Sequence, residues 1–220
     1  MRSARSRRAR ATEDLAGGVY ERTMRKRTSP AGGRDAAATP SGAGGGLDVV
    51  TLNIEFGLRI DGARALFART DRLARANVVL LQEMDPEGTD ALAASLGMQY
   101  AYYPADVHPR TGRPFGNAVL SRWPIVHDRK IELPHVSFRN PTRRAERVVL
   151  GGDLNSHRLG RVVAADAFDW ATRTIGPTVG LLFSVDHIFT RGLRASQVGR
   201  ITGTRGVTDH AAVWARLAWR

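Results

Sequence analysis

From Leu47 onward, short apolar runs alternate with helically spaced segments, and the runs repeatedly end in polar residues. LDVVTLNIEFG is β-branched and apolar, and predicts a first strand ending at Asn53, ahead of Gly57. Residues 61–76 place Ala65, Leu66, Arg69, Leu73 and Ala76 at helical spacing, which predicts an amphipathic helix. NVVLLQEMD predicts a buried strand ending in Gln82 and Glu83, and residues 88–97 predict a second helix with an Asp/Thr start and a Gly stop. MQYAYYPADV predicts a strand, HPRTGRPFG a loop, and NAVLSRWPIV a strand cut by Pro124. The stretch 127–147 is polar and without clear period. After VVLGGDLN, residues 161–176 predict a helix, LLFSVDHIFTRG a strand carrying Asp186 and His187, and VTDHAAVWARLAW an alternating strand preceded by Asp209 and His210.

The chain is organised around VVLGGDLNSH, residues 148–157. A short apolar run closed by Gly-Gly reads as a buried strand ending where backbone comes close to something. Alternate strand residues face the same way, so Asp153 and Asn155 would point together off its end. A carboxylate beside an amide can bind a metal, a water or a phosphate; Asp, Asn and Gly are also ordinary turn formers. Helices between the first strands, with acids, amides and histidines at successive strand ends, predict an α/β layered core with its polar residues along one sheet edge.

Composition bounds the picture. The 220 residues and 24.0 kDa suit one domain. The absence of cysteine excludes disulfides, zinc–thiolate sites and cysteine nucleophiles. The net charge of +12 at first suggests a nucleic-acid binder, but residues 1–46 carry ten basic and four acidic residues, half of that net charge. This Ala/Gly/Pro-rich stretch, ending SGAGGG, reads as a disordered basic tail that could touch phosphates or an anionic membrane, or simply be solvated. No secretory signal follows its arginines and no later run is long enough to span a bilayer, so a cytoplasmic location is expected.

The ordered set LNIEFG, LLQEMD, NAVLSRWPI, GGDLNS, SVDHIF and VTDHAAV resembles the endonuclease/exonuclease/phosphatase family, over residues 47–220. The single motifs are weak; six in order are specific. The resemblance implies a DNase I-like four-layer α/β sandwich, two central sheets flanked by helices, with the site at one end. It also implies that Glu83 holds a metal, with Asn53 orienting the ion or the phosphate and Asp209 beside the ion as a further ligand. Asp153 would take the proton from the attacking water, and Asn155 would position water and phosphate. His210 would stabilise the phosphoryl oxygens or act as acid/base, oriented by Asp186, and Asn117 would contact substrate. Each has a plainer reading: strand-end acids, and a histidine held for structure only. His187 reads as packing or substrate edge, Ser121 as structural, and Trp170, Trp214 and Trp219 as core or surface anchors.

Phosphodiester hydrolysis needs charge neutralisation and an activated in-line water. Hard oxygen ligands without thiolates favour Mg²⁺, Mn²⁺ or Ca²⁺ over zinc, and Mg²⁺ or Mn²⁺ is the expected cofactor. The expected partner is a phosphate ester, from nucleic acid or a phospholipid head group, and the chain is expected to be a monomer. QEMD and NAVLSRWPI look closer to the sphingomyelinase and metal-dependent hydrolase branch than to exonuclease III-like enzymes, which usually carry a lysine soon after the QE pair.

One departure stands out. Members normally carry, before GGDLN, a strand ending in a Thr-His-Leu or similar motif and then a helix. Here LPHVSFRNPTRRAE runs directly into RVVLGGDLN. The domain is therefore internally shortened between about 135 and 147, with His135 the nearby candidate for the lost histidine. Removing a strand should leave a gap or an unpaired sheet edge. The alternative function is a catalytically inactive member that binds nucleic acid or anionic lipid.

Overall fold

The computed structural model describes residues 46–130, 145–165 and 167–219. The tail through residue 45 and His135 lie outside them. Elements follow in chain order: β1 (Leu47–Asn53), α1 (Ile60–Arg69), α2 (Asp71–Ala74), β2 (Val78–Met84), α3 (Pro86–Leu96), β3 (Gln99–Val107) and β4 (Pro114–Ser121), then β5 (Val148–Asp153), α4 (His157–Ala165), β6 (Asp169–Trp170), β7 (Asp186–Arg191), β8 (Leu193–Ile201) and β9 (Ala212–Trp219). Among the described residues, no helix is long and apolar enough to cross a membrane.

Two sheets face each other. The first runs β3-β4-β2-β1-β9-β8, with β1 and β2 parallel and the other pairs antiparallel. The second runs β5-β7-β6, all antiparallel. Strand alternation sorts the side chains into layers. Val50 and Leu52 of β1 pack with Val79 and Leu81 of β2 against Leu66, Phe67 and Leu92 of the helices. Val49 faces the other way and meets Ile188, Val213 and Leu217 between the sheets. Val148 and Phe189 of the second sheet pack on Val163 and Phe168, under α4. The result is the four-layer α/β sandwich: helices, sheet, sheet, helix.

Several boundaries differ from the sequence reading. The helix expected over 61–76 is two pieces, broken at Thr70, whose backbone is extended (φ −112°, ψ 101°). The face it buries is Ala63, Leu66 and Phe67 in α1 and Leu73 in α2, while Ala65 is exposed. α3 begins two residues earlier than expected, because Asp85 caps it by accepting from Gly88 N–H (2.7 Å) and Pro86 sits in the first turn; Gly97 closes it with φ 63°. The helix expected over 161–176 instead starts at His157 and ends at Ala165, and Asp169–Trp170 form a short strand beside β7. β8 had no sequence counterpart: it borders the first sheet at one edge, and its mixed burial follows neither period cleanly.

On its other edge, β5 has no strand partner among the described residues. Gly151 explains how closely β5 approaches the first sheet: a Cβ there would lie 2.8 Å from Leu80 Cδ1 and 3.1 Å from His187 O.

Candidate active site

β1, β2, β5, β7 and the turn before β9 bring their polar ends together. Asn53, 2 % exposed, donates from Nδ2 to Glu83 Oε1 (2.9 Å) and to Asp153 Oδ2 (3.2 Å), so two carboxylates meet at one amide nitrogen. Its Oδ1 accepts from Glu55 N–H (2.9 Å), which fixes which way the amide faces. Through its Nδ2, Asn53 offers the carboxylates hydrogens and orients them.

Glu83 reaches this point through a local irregularity. Simple alternation would put Glu83 with Leu81, on the face covered by helices. The pairing of β2 with β4 shifts register between Leu81 and Met84, and Glu83 takes a left-handed backbone (φ 56°). The bulge returns Met84 to the helix-side core and turns Glu83 toward Asn53. Glu55 (φ 50°) and Phe56 (φ 60°), just past β1, and Asn155 (φ 51°), just past β5, are left-handed too. Asp153 Oδ1 accepts from Asn155 N–H (2.7 Å), leaving the Asn155 side chain exposed beyond the strand end.

Asp186 is fully buried at the start of β7, and its Oδ2 lies 2.9 Å from His210 Nδ1. His210 Nε2 then faces Asp153 Oδ2 and Asp209 Oδ1, both at 3.8 Å. Burial alone would pull the imidazole's pKa down; the Asp186 hydrogen bond and the charges of Asp186, Asp153 and Asp209 outweigh it and hold the pKa above the ordinary 6.5. Ligand-type atoms of Asp153, Asp186 and His210 lie within 4.8 Å of one another. Asp186 engages His210 Nδ1 and so fixes the ring's orientation, leaving Nε2 as the ring atom that faces Asp153 and Asp209. Glu83, Asp153 and the largely exposed Asp209 supply the hard oxygens that suit Mg²⁺ or Mn²⁺.

The structure thus gathers Asn53, Glu83, Asp153, Asp186, Asp209 and His210, with Asn155 at the rim. Asn117 is different: it is exposed on β4, one residue from the Gly116–Met84 pair, and makes no hydrogen bond to the cluster among the described residues. His187 is fully buried, edge-on to Trp170 (4.9 Å between ring centroids), with Nε2 3.1 Å from Ser184 O. Ser121 is buried, and its hydroxyl accepts from Trp123 N–H (3.1 Å) just past the end of β4.

Two positioning residues escaped the sequence reading. Thr178 Oγ1 accepts from Val185 N–H (3.1 Å) and Asp186 N–H (3.2 Å), and its carbonyl accepts from Ala211 N–H (2.7 Å), so it ties the Asp186 and His210 segments together. Thr208 Oγ1 accepts from His210 N–H (3.1 Å). A threonine in GPTVG carries no signal for this; only the TDH spacing placed Thr208 near the histidine.

A sequence model of the Endonuclease/Exonuclease/phosphatase family matches residues 50–210. No curated protein matches the chain. Among solved structures, an endonuclease/exonuclease/phosphatase from Beutenbergia cavernae is similar at 18% identity and a TM-score of 0.59, covering 80% of this chain and 72% of that one. A 3'-5' exonuclease from Neisseria meningitidis is similar at 15% identity and a TM-score of 0.58, covering 79% of this chain and all of the other. A mannosyl-6-phosphatase from Bacteroides thetaiotaomicron is similar at 13% identity and a TM-score of 0.53, with coverage of 79% and 100%. At these identities the likeness is one of fold.

Proposed function

The chain belongs to the endonuclease/exonuclease/phosphatase family, and we propose that it is a divalent-metal-dependent hydrolase of phosphodiester bonds. One observation carries this reading: Glu83 and Asp153 meet at the Asn53 amide beside an imidazole oriented by a buried aspartate. Glu83 and Asp209 would hold Mg²⁺ or Mn²⁺, and Asn53 would set the direction of the carboxylates. When bound, that ion neutralises charge gathering on the phosphoryl oxygens.

Asp153 is the base. Its Oδ2 takes a proton from water, the water oxygen bonds to phosphorus, and the bond from phosphorus to the leaving alcohol breaks. The leaving oxygen keeps the electron pair and takes a proton. His210 has Nδ1 committed to Asp186, so Nε2 is the atom that donates to a phosphoryl or leaving oxygen. Its raised pKa favours the protonated, donating ring. Asn155, exposed at the rim, would position water and phosphate, and Asn117 would contact the substrate beyond the reacting group.

Relatives of this fold include an exonuclease and a mannosyl-6-phosphatase, so the fold alone does not choose a substrate. The test is hydrolysis of bis-p-nitrophenyl phosphate and p-nitrophenyl phosphate with Mg²⁺, Mn²⁺ or EDTA. Metal-dependent diester turnover is expected, lost in EDTA and reduced roughly 10²–10⁴-fold in Asp153→Ala. Folded chain without turnover in any metal would sink the enzyme reading and leave a binding module.

A further inference from the structure

The site is shared between two sheets: Asn53 and Glu83 stand on the first, Asp153 and Asp186 on the second. Strand pairing fixes positions within a sheet; the gap between two sheets is set by the side chains that fill it. Near the site, β2 fills that gap with Leu80 and then Gln82, which alternate onto the same face. β5 answers with two glycines. A Cβ on Gly151 would lie 2.8 Å from Leu80 Cδ1, and one on Gly152 would lie 3.3 Å from Gln82 Nε2 and 3.5 Å from its Cδ. Consecutive strand residues ordinarily face opposite ways. Gly152, with φ 151°, instead turns toward the first sheet as Gly151 does. The strand therefore lies against the Gln82 carboxamide at the residue just before Asp153.

Gln82 is also pinned. Its Oε1 accepts from the hydroxyl of Thr51 (3.2 Å), a fully buried residue of β1. Its carbonyl accepts from Ile54 N–H (3.0 Å), and it pairs with Asn53 across β1 and β2. Among the described residues it makes no hydrogen bond to Glu83 or Asp153. It thus stands between the three strands that carry Asn53, Glu83 and Asp153 without joining their contacts.

We infer that Gln82 is a positioning residue, whose side chain is the spacer that holds β5 at the distance where Asp153 meets Asn53 and Glu83. The catalytic consequence rests on the hydrolase reading above; the spacing itself does not. A displacement of about 1 Å can cost roughly 10²-fold in rate, so the length of this one side chain bears on turnover.

The test separates length from hydrogen bonding. Gln82→Asn keeps the amide but is one methylene shorter; Gln82→Met keeps the reach and loses the amide. Gln82→Thr, short and suited to a strand, stands in if the asparagine variant does not fold. Urea midpoints, kcat and KM for bis-p-nitrophenyl phosphate, and crystal structures are compared with those of the unaltered chain. The short variants are expected to lose roughly 10–100-fold in kcat, with KM within about twofold. In their crystals the Asn53–Asp153 contact between sheets should open, while the Asn53–Glu83 contact within the first sheet stays. Gln82→Met is expected to keep kcat within about threefold, since its volume is nearly conserved. A methionine variant as impaired as the short ones would assign the effect to the amide and overturn the spacer. So would a folded short variant that keeps kcat and the Asn53–Asp153 contact. If the unaltered chain turns over no diester, the hydrolase reading falls, and the Asn53–Asp153 contact in the short-variant crystals alone decides the spacer.

Discussion

Asp186 has no route to solvent, and the atom it presents to His210 is 2.9 Å away. Two effects oppose each other on that imidazole. Burial favours the neutral ring; the hydrogen bond and the surrounding carboxylates favour the charged one and prevail. In the metal-free chain, the stability this contributes is full below the unfolded value near 6.5 and is lost as pH rises through the higher folded value. Asp186→Asn removes the largest raising influence but keeps the burial, so the His210 titration followed by NMR in metal-free protein is expected to move down. Diester turnover is expected to fall by about 10²-fold or more, since the donor would be depleted and its tautomer no longer fixed. An unchanged titration would mean that Asp186 does not hold the ring. Much of this site was legible in the sequence because acids, amides and a histidine recur at strand ends in family order. The aim of Glu83 was not, because plain alternation sends it to the helix side and only the bulge reverses that.

At the scale of elements, the glycines of the GGDLNSHRLG stretch record close approaches. Gly151 lets β5 come down on Leu80, which is the approach that the Gly-Gly pair foretold. Gly160, in α4, is a different case: a Cβ there would lie 2.5 Å from Trp170 Cη2. That ring cannot step aside freely, because His187 stands edge-on at 4.9 Å and Phe189 lies tilted at 5.5 Å. Alanine ordinarily favours a helix over glycine by about 1 kcal/mol. Here overpacking is the larger effect, and Gly160→Ala is expected to destabilise by about 1–3 kcal/mol in urea denaturation. A stabilised variant would show that α4 can lift from the second sheet at no cost. Helical spacing alone could not have found this arrangement: RVVAADAFDW continues the period past Ala165, whereas Asp169–Trp170 are drawn into pairing with β7. β8 escaped for a related reason, since an edge strand with polar residues on both faces leaves no clean alternation to read.

Across the whole molecule, the three apolar clusters are joined through shared strands, and that sharing sets how the molecule should unfold. β1 contributes to the helix-side core through Val50 and Leu52 and to the inter-sheet core through Val49. β7 contributes Ile188 between the sheets and Phe189 under α4. Among the described residues the second sheet has three strands with β5 at one side, and its main apolar attachment to the first is the cluster containing Ile188. Ile188 is fully buried, and its N–H donates to Thr172 Oγ1 at 2.8 Å. Ile188→Ala is expected to cost about 2–5 kcal/mol. If the sandwich is one cooperative unit, loss of helix signal, loss of near-ultraviolet aromatic signal and loss of diester turnover will shift together to the same lower midpoint. Turnover lost well before the helix signal would instead mark the second sheet as a separate unit. Asp153 and Asp186 would then leave Asn53 and Glu83 while the first sheet stayed folded, because the site is divided between the two sheets.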